Sequence, residues 1–404
     1  MRIRLVVALV AAGILAVQGS PPPANAALTP AIAAIAAGFH HSCALTAGGG
    51  VKCWGDNSLG QLGNGTTTSS PLPVGVVGLA SGVKAIAAGQ NTTCALTIGG
   101  GVKCWGANYT GQLGVGTAIS SSTPLDVLGM SSGIVAIAPG ARHTCALTSA
   151  GGVKCWGANG DGQLGDGTTT GSLFPIDVPT LTAGVTAIAV NNDDTCALTN
   201  AGGVKCWGNN VVGALGNGTT TDRFVPTDVV GLAGGVAAIS VGLGYTCALT
   251  GGGGVKCWGA ANARIGNATP IDSVIPADMS GLASGVTAIS VGGNACVLTM
   301  SGGVKCWGAD DLGQLGNGPG DGLSLVPVDV AGLASGVRAI ATGDIHACAI
   351  TGDGGVRCWG DNTYGELGNG TTAVTTTPVA VDLATRQSVI LRTSKAAGTV
   401  LGAV

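Results

Sequence analysis

Cysteine recurs in this chain in pairs ten residues apart, and every second cysteine is followed by tryptophan. The pairs are Cys43 with Cys53, Cys94 with Cys104, Cys145 with Cys155, Cys196 with Cys206, Cys247 with Cys257, Cys296 with Cys306 and Cys348 with Cys358. The tryptophans are Trp54, Trp105, Trp156, Trp207, Trp258, Trp307 and Trp359, and no cysteine or tryptophan lies outside the phrase. First cysteines advance by 51, 51, 51, 51, 49 and 52 residues. A period of that length is the signature of a repeat architecture and overrides any domain count taken from length. The register slips in three places only: after Trp258 in GAANARIGNATP, before Cys296 in VGGNAC, and after Trp307 near GPGDG. Connections absorb such slips; strands do not.

Within a unit four short strands are predicted. KAIAAG, TAIAV and AAISV are runs of small and β-branched residues, while CALT and GVKCWG flank a glycine-rich turn, a hairpin signal. A P-x-D-V stretch, Pro226 to Val229 for instance, supplies the fourth strand, with its proline suited to an edge or a strand start. With 46% apolar but only 9% charged residues the chain is no disordered polymer. With 3% aromatic residues its core must be thin layers of Ala, Val, Ile and Leu. Four strands recurring seven times, with no helical period, predict an all-β seven-bladed β-propeller of four-stranded antiparallel blades. The small residues of the first strand suit the crowded axis of such a ring. A β-solenoid usually has shorter units and no fixed hairpin.

The repeated text AIAAG…H.CALT…GGVKCWG.N..GQLG.GT…P, nearly complete from Ala34 to Pro71, resembles the repeats of the regulator of chromosome condensation family. The resemblance covers about residues 31–382 and implies a seven-bladed propeller, in agreement with the count of units. The fifth unit departs most, with Ala261 where others have Asn57, Asn108 or Asn159, and RIGNAT in place of QLGNGT. Nuclear members of the family act in nucleotide exchange on a small GTPase, a role that an exported chain without a basic DNA-contacting segment does not suit. For a secreted member the resemblance implies instead the covering of an exported enzyme, such as a β-lactamase, by one face of the ring.

If the hairpin is symmetric about Gly48, Cys43 faces Cys53, Leu45 faces Val51 and Thr46 faces Gly50. Opposed residues at a non-hydrogen-bonded rung lie about 4.5 Å apart at Cα, within disulfide reach. A disulfide within each hairpin, closing a loop worth about 2.5–3 kcal/mol in the chain-entropy model, is therefore expected. Pairing between neighbouring blades is the alternative and would change little for function. Zinc would need a second Cys/His pair, and redox chemistry a close C-x-x-C; neither is present. Each tryptophan, one residue on, should lie on the opposite blade face and pack against the next blade. The Asn-Gly-Thr runs at Asn64, Asn217 and Asn369 read as turns.

Residues 1–26 have the build of a secretory signal peptide: a basic MRIR, the apolar run LVVALVAAGILAV, and PPPANA with small residues at its end. Its removal takes Arg2 and Arg4 and leaves 15 basic against 20 acidic side chains, a net charge of −5. No cysteine precedes Cys43 to accept a lipid. The expected organisation is signal peptide 1–26, propeller 27–383 and a tail 384–404 whose SVILRT either adds a strand or stays loose. The protein is expected in the secreted or cell-envelope exterior space, without membrane insertion after signal removal. The lack of any Lys/Arg run argues against nucleic acid as a partner.

No reaction is legible. The histidines are His40, His41, His143 and His346, and three of them share the slot two residues before the first cysteine. Thr92, Asp194, Tyr245 and Asn294 fill it elsewhere, so the slot reads as a loop-closing hydrogen-bond position and not as a catalytic one. The acidic stretches NNDDT (Asn191–Thr195) and NGDGQLGDG (Asn159–Gly167) match no full calcium loop. No catalytic residue, metal ligand or cofactor site is assigned.

In an antiparallel blade the loop before the first cysteine and the long loop after tryptophan share one face; the hairpin turn and the GLASGV crossover share the other. The first set varies from unit to unit and gathers the scarce aromatics. A protein-binding face is therefore predicted there, with Phe39, His40, His41, Gln90, Asn91, Arg142, His143, Asp193, Asp194, Tyr245, Asp344 and Ile345 from the short loops. Tyr109 and Tyr364 join them from the long loops. The expected function is a secreted, non-enzymatic propeller scaffold that binds a protein partner. The alternatives are a cell-envelope or polysaccharide-binding module, whose ligand would be a glycan, and an inhibitor of an exported enzyme.

Overall fold

The computed structural model describes residues 31–260, 266–318, 320 and 322–384. The segment read as a signal peptide, the tail beyond Ala384 and the divergent Ala261 lie outside the described residues. The chain forms seven four-stranded antiparallel sheets, each from four consecutive strands. In the first blade these are β1 (Ile32–Ala37), β2 (His41–Thr46), β3 (Val51–Gly55) and β4 (Ser70–Gly75). The innermost strands, IAAIAA in the first blade and VKAIAA in the second, stand against one another around the axis, where only small side chains fit. No described helix is long and apolar enough to cross a membrane.

The hairpin register follows from the turn. Cys43 pairs with Cys53 and Leu45 with Val51, and the Thr46 N–H donates to Gly50 O at 2.8 Å. On the other side the Asp56 N–H donates to His40 O at 2.7 Å. Bonded and non-bonded rungs alternate, so the cysteines, three rungs from each of these bonds, occupy a non-hydrogen-bonded rung, where side chains approach closest. The expected disulfide stands within every hairpin, and none links neighbouring blades. Cys43 is bonded to Cys53, Cys94 to Cys104, Cys145 to Cys155 and Cys196 to Cys206. Cys247 is bonded to Cys257, Cys296 to Cys306 and Cys348 to Cys358. Their S–S lengths are 2.07–2.12 Å and their Cα–Cα distances 4.0–4.1 Å. No cysteine is free.

The tryptophans correct one expectation. Each lies on the face opposite the cysteines but packs against the preceding blade, not the next. Trp105 is buried with Cys43, Cys53, Leu45, Val51 and Leu62 of the first blade, and its Nε1–H donates to Gln61 O at 2.9 Å. Trp156 does the same to Gln112 O, and Trp207 to Gln163 O. Trp54 closes the ring by packing on Cys348 and Cys358 and donating to Glu366 O at 2.7 Å. This layer explains the glycine of QLG. Gly63, Gly114, Gly165, Gly216, Gly266, Gly316 and Gly368 have φ between 63° and 73°, and a Cβ on any of them would stand 2.5–2.7 Å from the neighbouring indole. The fifth unit, which departs most from the repeat, keeps that glycine.

The outer strand begins earlier than its P-x-D-V text suggests. In the fourth blade it runs Arg223–Asp228, with Thr227 opposite Cys206 and Arg223 opposite Gly208. Pro226 falls in the intervening bulge on a free edge, where its missing N–H interrupts no ladder bond.

Candidate functional site

The short and long loops meet at one end of the ring. Gln61, in the long loop of the first blade, reaches within 3.5 Å of Asn91 in the short loop of the second. Gln163 likewise donates to Asp193 at 3.1 Å across the next seam but one. Each long loop is tied from within by its asparagine. The Asn57 Oδ1 accepts the Leu62 N–H at 2.9 Å and its Nδ2 donates to Thr66 O and Thr68 O, an arrangement repeated by Asn108, Asn159, Asn210 and Asn362.

At the axis the short loops close to a neck. A Cβ on Gly38 would collide with Gly89 O, one on Gly89 with Gly140 O, and the series returns through Gly242, Gly292 and Gly343 to Gly38 O. Asn191 is the one member of this ring that carries a side chain. Polar side chains then bridge the mouth. Gln90 Nε2 donates to Asn192 Oδ1 at 2.7 Å and lies 3.5 Å from Asp344 Oδ2, joining the second, fourth and seventh blades. The neck and its bridge make this end a broad surface.

Of the residues predicted to contact a partner, four are withdrawn. His41, His143, Asp194 and Tyr245 are wholly or almost wholly buried because the slot two before the cysteine points into the seam between blades. His41 Nε2 meets Thr93 Oγ1 of the next blade at 2.8 Å, His143 meets Thr195 at 2.8 Å, and His346 meets Ser42 at 2.8 Å across the ring closure. These histidines are struts between blades, not loop-closing groups. Burial holds all three near pKa 4, so the rings are neutral at pH 7. In the fourth blade the same burial, aided by Asp193, pushes Asp194 up to about 8, and the carboxyl is protonated. Asp344, a member of the bridge at the mouth, is also buried.

The others reach solvent. Tyr109 is 66% and Tyr364 42% exposed, Arg142 is exposed, and Phe39, His40, Gln90, Asn91, Asp193 and Ile345 are half-buried. Phe39, His40 and Tyr364 form one aromatic group at the closing seam, with ring centroids 4.0 and 4.9 Å apart. Burial holds the Asp193 carboxyl above its ordinary range, opposed by Arg142.

Sequence reasoning missed the charge of this end. Asp56, Asp161, Asp166, Asp193, Asp194, Asp222, Asp272, Asp310, Asp311, Asp344, Asp361 and Glu366 all belong to the loops or strand starts here, against Arg142 and Arg223 among the described residues. Every described lysine lies toward the hairpin end, where Lys103, Lys154, Lys205, Lys256 and Lys305 each pair with an aspartate at 2.6–2.7 Å. The signal was present as lysine fixed in VKCWG, with acids scattered through the text after it.

A profile described as RCC1-like domain matches residues 12–331, and regulator of chromosome condensation (RCC1) repeats match 337–366 and 353–394. The chain is 34% identical over 361 residues to the human E3 ubiquitin-protein ligase HERC2, covering 86% of this chain but 6% of that protein. It is 31% identical over 362 residues to the Ultraviolet-B receptor UVR8 of Arabidopsis thaliana, covering 88% of this chain and 71% of the receptor. The fold is similar to the crystal structure of Prp20p from Saccharomyces cerevisiae, described with its binding properties to Gsp1p and histones. That match has a TM-score of 0.72 at 22% identity over 87% of each chain, and the likeness is one of fold.

Proposed function

Since this chain belongs to the regulator of chromosome condensation repeat family, we propose that it is a secreted, non-enzymatic propeller scaffold whose loop-bearing end holds a protein partner with a basic surface. The observation that carries the reading is the segregation of charge. Of the twelve carboxyl groups at the end whose loops vary, Asp161, Asp166, Asp193, Asp222, Asp272 and Asp311 reach solvent, with exposed Tyr109 and Tyr364 and half-buried Phe39 among them. Like charge concentrated on one surface steers an oppositely charged partner, and aromatic anchors then fix the complex. The binding of Gsp1p and histones by Prp20p supports protein binding as the use of such a ring. The seven disulfides and the segment 1–26 support export.

The test is capture from culture supernatant of the source organism on immobilised protein, at low and at high salt. A saturable protein complex that weakens steeply with salt is expected. Replacing Phe39, Tyr109 and Tyr364 together by alanine should abolish it without lowering Tm. Retained binding in that variant, with loss on altering the GLASGV crossovers, would move the site to the opposite end. Recovery with cell walls or polysaccharide instead would favour the glycan module.

A further inference from the structure

Beside two seams between blades a glutamine of the long loop faces a carboxylate. At the first seam the amide of Gln61 donates to the carboxylate of Asp56 at 2.6 Å, and at the third Gln163 donates to Asp193 at 3.1 Å. Amide faces acid, and each carboxylate finds a donor.

At the closing seam the device is inverted. Glu366 stands where other units have Gln61, Gln112, Gln163 and Gln314, and it shares the site with Asp361. Their side chains are 0% and 4% exposed. His40 of the first blade faces both: its Nδ1 lies 3.0 Å from Glu366 Oε1 and 3.8 Å from Asp361 Oδ2, and the three atoms lie within 4.8 Å of one another. The second oxygen of each acid is already engaged. Glu366 Oε2 accepts the Tyr364 N–H at 2.9 Å, and Asp361 Oδ1 accepts the Thr363 hydroxyl at 2.7 Å. Outer donors thus aim one oxygen of each carboxylate at a common point, as the outer hydrogen bonds of a metal site do.

We propose that His40, Asp361 and Glu366 form a zinc-binding site that joins the first blade to the last. Two buried carboxylates side by side repel, and one imidazole neutralises at most one of them. A divalent ion neutralises both. Separations of 3.0 and 3.8 Å bracket the edge of about 3.4 Å in a tetrahedron with bonds of about 2.1 Å. An imidazole in the donor set selects zinc over calcium or magnesium. His40 is 20% exposed, which leaves the fourth position open to water or to a bound partner. The ligands come from positions 326 residues apart, and among the described residues no strand is exchanged between the first and last blades. An ion held here ties the ring closed and stabilises the folded state alone.

Calorimetric titration of EDTA-treated protein with zinc chloride should give one ion per chain and a rise in Tm, with no response to calcium or magnesium. Glu366→Gln installs the residue four other units carry, so the ring should fold. It should bind zinc at least about 100-fold more weakly. His40→Ala should behave alike. If the parent takes up no zinc, or Glu366→Gln binds it as tightly as the parent, the triad is a plain ion pair and the proposal fails.

Discussion

The two ends of the ring are made from the same seven units but treat sequence in opposite ways. At the hairpin end every unit repeats the glycine turn, the cysteine rung and a strand that reads VKCWG in six units and VRCWG in the seventh, and five units add a charge pair between the third and outer strands. At the loop end the glycine of the QLG phrase, the inward strut slot, six neck glycines and five loop asparagines recur, and the rest varies. The difference locates stability and recognition in separate halves of each blade. A surface substitution should therefore cost folding at one end and binding at the other.

The largest effect should come from reduction. Each disulfide closes a ten-residue interval worth about 2.5–3 kcal/mol in the chain-entropy model. Seven together exceed the 5–15 kcal/mol of an ordinary folded chain. Dithiothreitol at moderate temperature should unfold the ring, followed by tryptophan fluorescence, since all seven indoles are buried. A reduced ring with unchanged Tm would mean that the hairpin end does not carry the fold.

Acid should act next, through the struts. His41, His143 and His346 have native pKa values near 4 because burial disfavours the imidazolium, against about 6.5 unfolded. Between those values the unfolded chain binds more protons, so stability is lost as pH falls, by roughly 3 kcal/mol for each histidine once below pH 4. Asp194 works in the reverse sense. Its native value of about 8 lies above the unfolded one, so it withdraws stability as pH rises from about 4 to 8. Three groups outweigh one below pH 6.5 and Asp194 alone acts above it, which puts maximum stability near pH 6.5. Thermal melts from pH 4 to 9 test this. Asp194→His, which can bond Thr246 as His143 bonds Thr195, should flatten the alkaline limb and, by adding a fourth buried imidazole, steepen the acid one. An unchanged limb in that variant would remove Asp194 from the account.

A single buried contact should cost less than the acid transition. Trp156→Ala empties a layer between the second and third blades and should lower stability by about 3–5 kcal/mol. Gly165→Val, set against Trp207 at 2.6 Å with φ of 73°, should be comparably damaging although the glycine belongs to the variable end. Chemical denaturation measures both. A mild Gly165→Val would show that the indole can yield.

These outcomes bear on how much was legible beforehand. The hairpin register was, because Cys43, Gly48 and Cys53 fix it within eleven residues. The direction of tryptophan packing was not: alternation puts Trp54 on the face away from Cys53 but does not say which neighbour that face meets. Tyr245 was misjudged as exposed although it occupies the slot of His41 and His143, where hydrogen-bonding side chains turn inward. The closing seam was hidden because His40 and Glu366 meet only when the ring closes, and no local pattern joins positions so far apart.

The smallest effect should come from the ion pairs at the hairpin end. Lys205 Nζ lies 2.6 Å from Asp228 Oδ1, and the pair spans the third and outer strands of the fourth blade. Its regularity suggests importance, but the aspartate side chain is 81% exposed, and exposed pairs contribute about 0–1 kcal/mol. The ring supplies its own comparison. In the first blade Lys52 faces Gly75 and in the seventh Arg357 faces Ala380, with the bulge and pairing of the outer strand kept in both. The strand does not need the pair to hold register. Lys205→Ala should therefore shift stability by less than about 1 kcal/mol and leave partner binding at the far end intact. A larger loss would show that the aspartates of the hairpin end need their lysines, and that stability there is partly electrostatic.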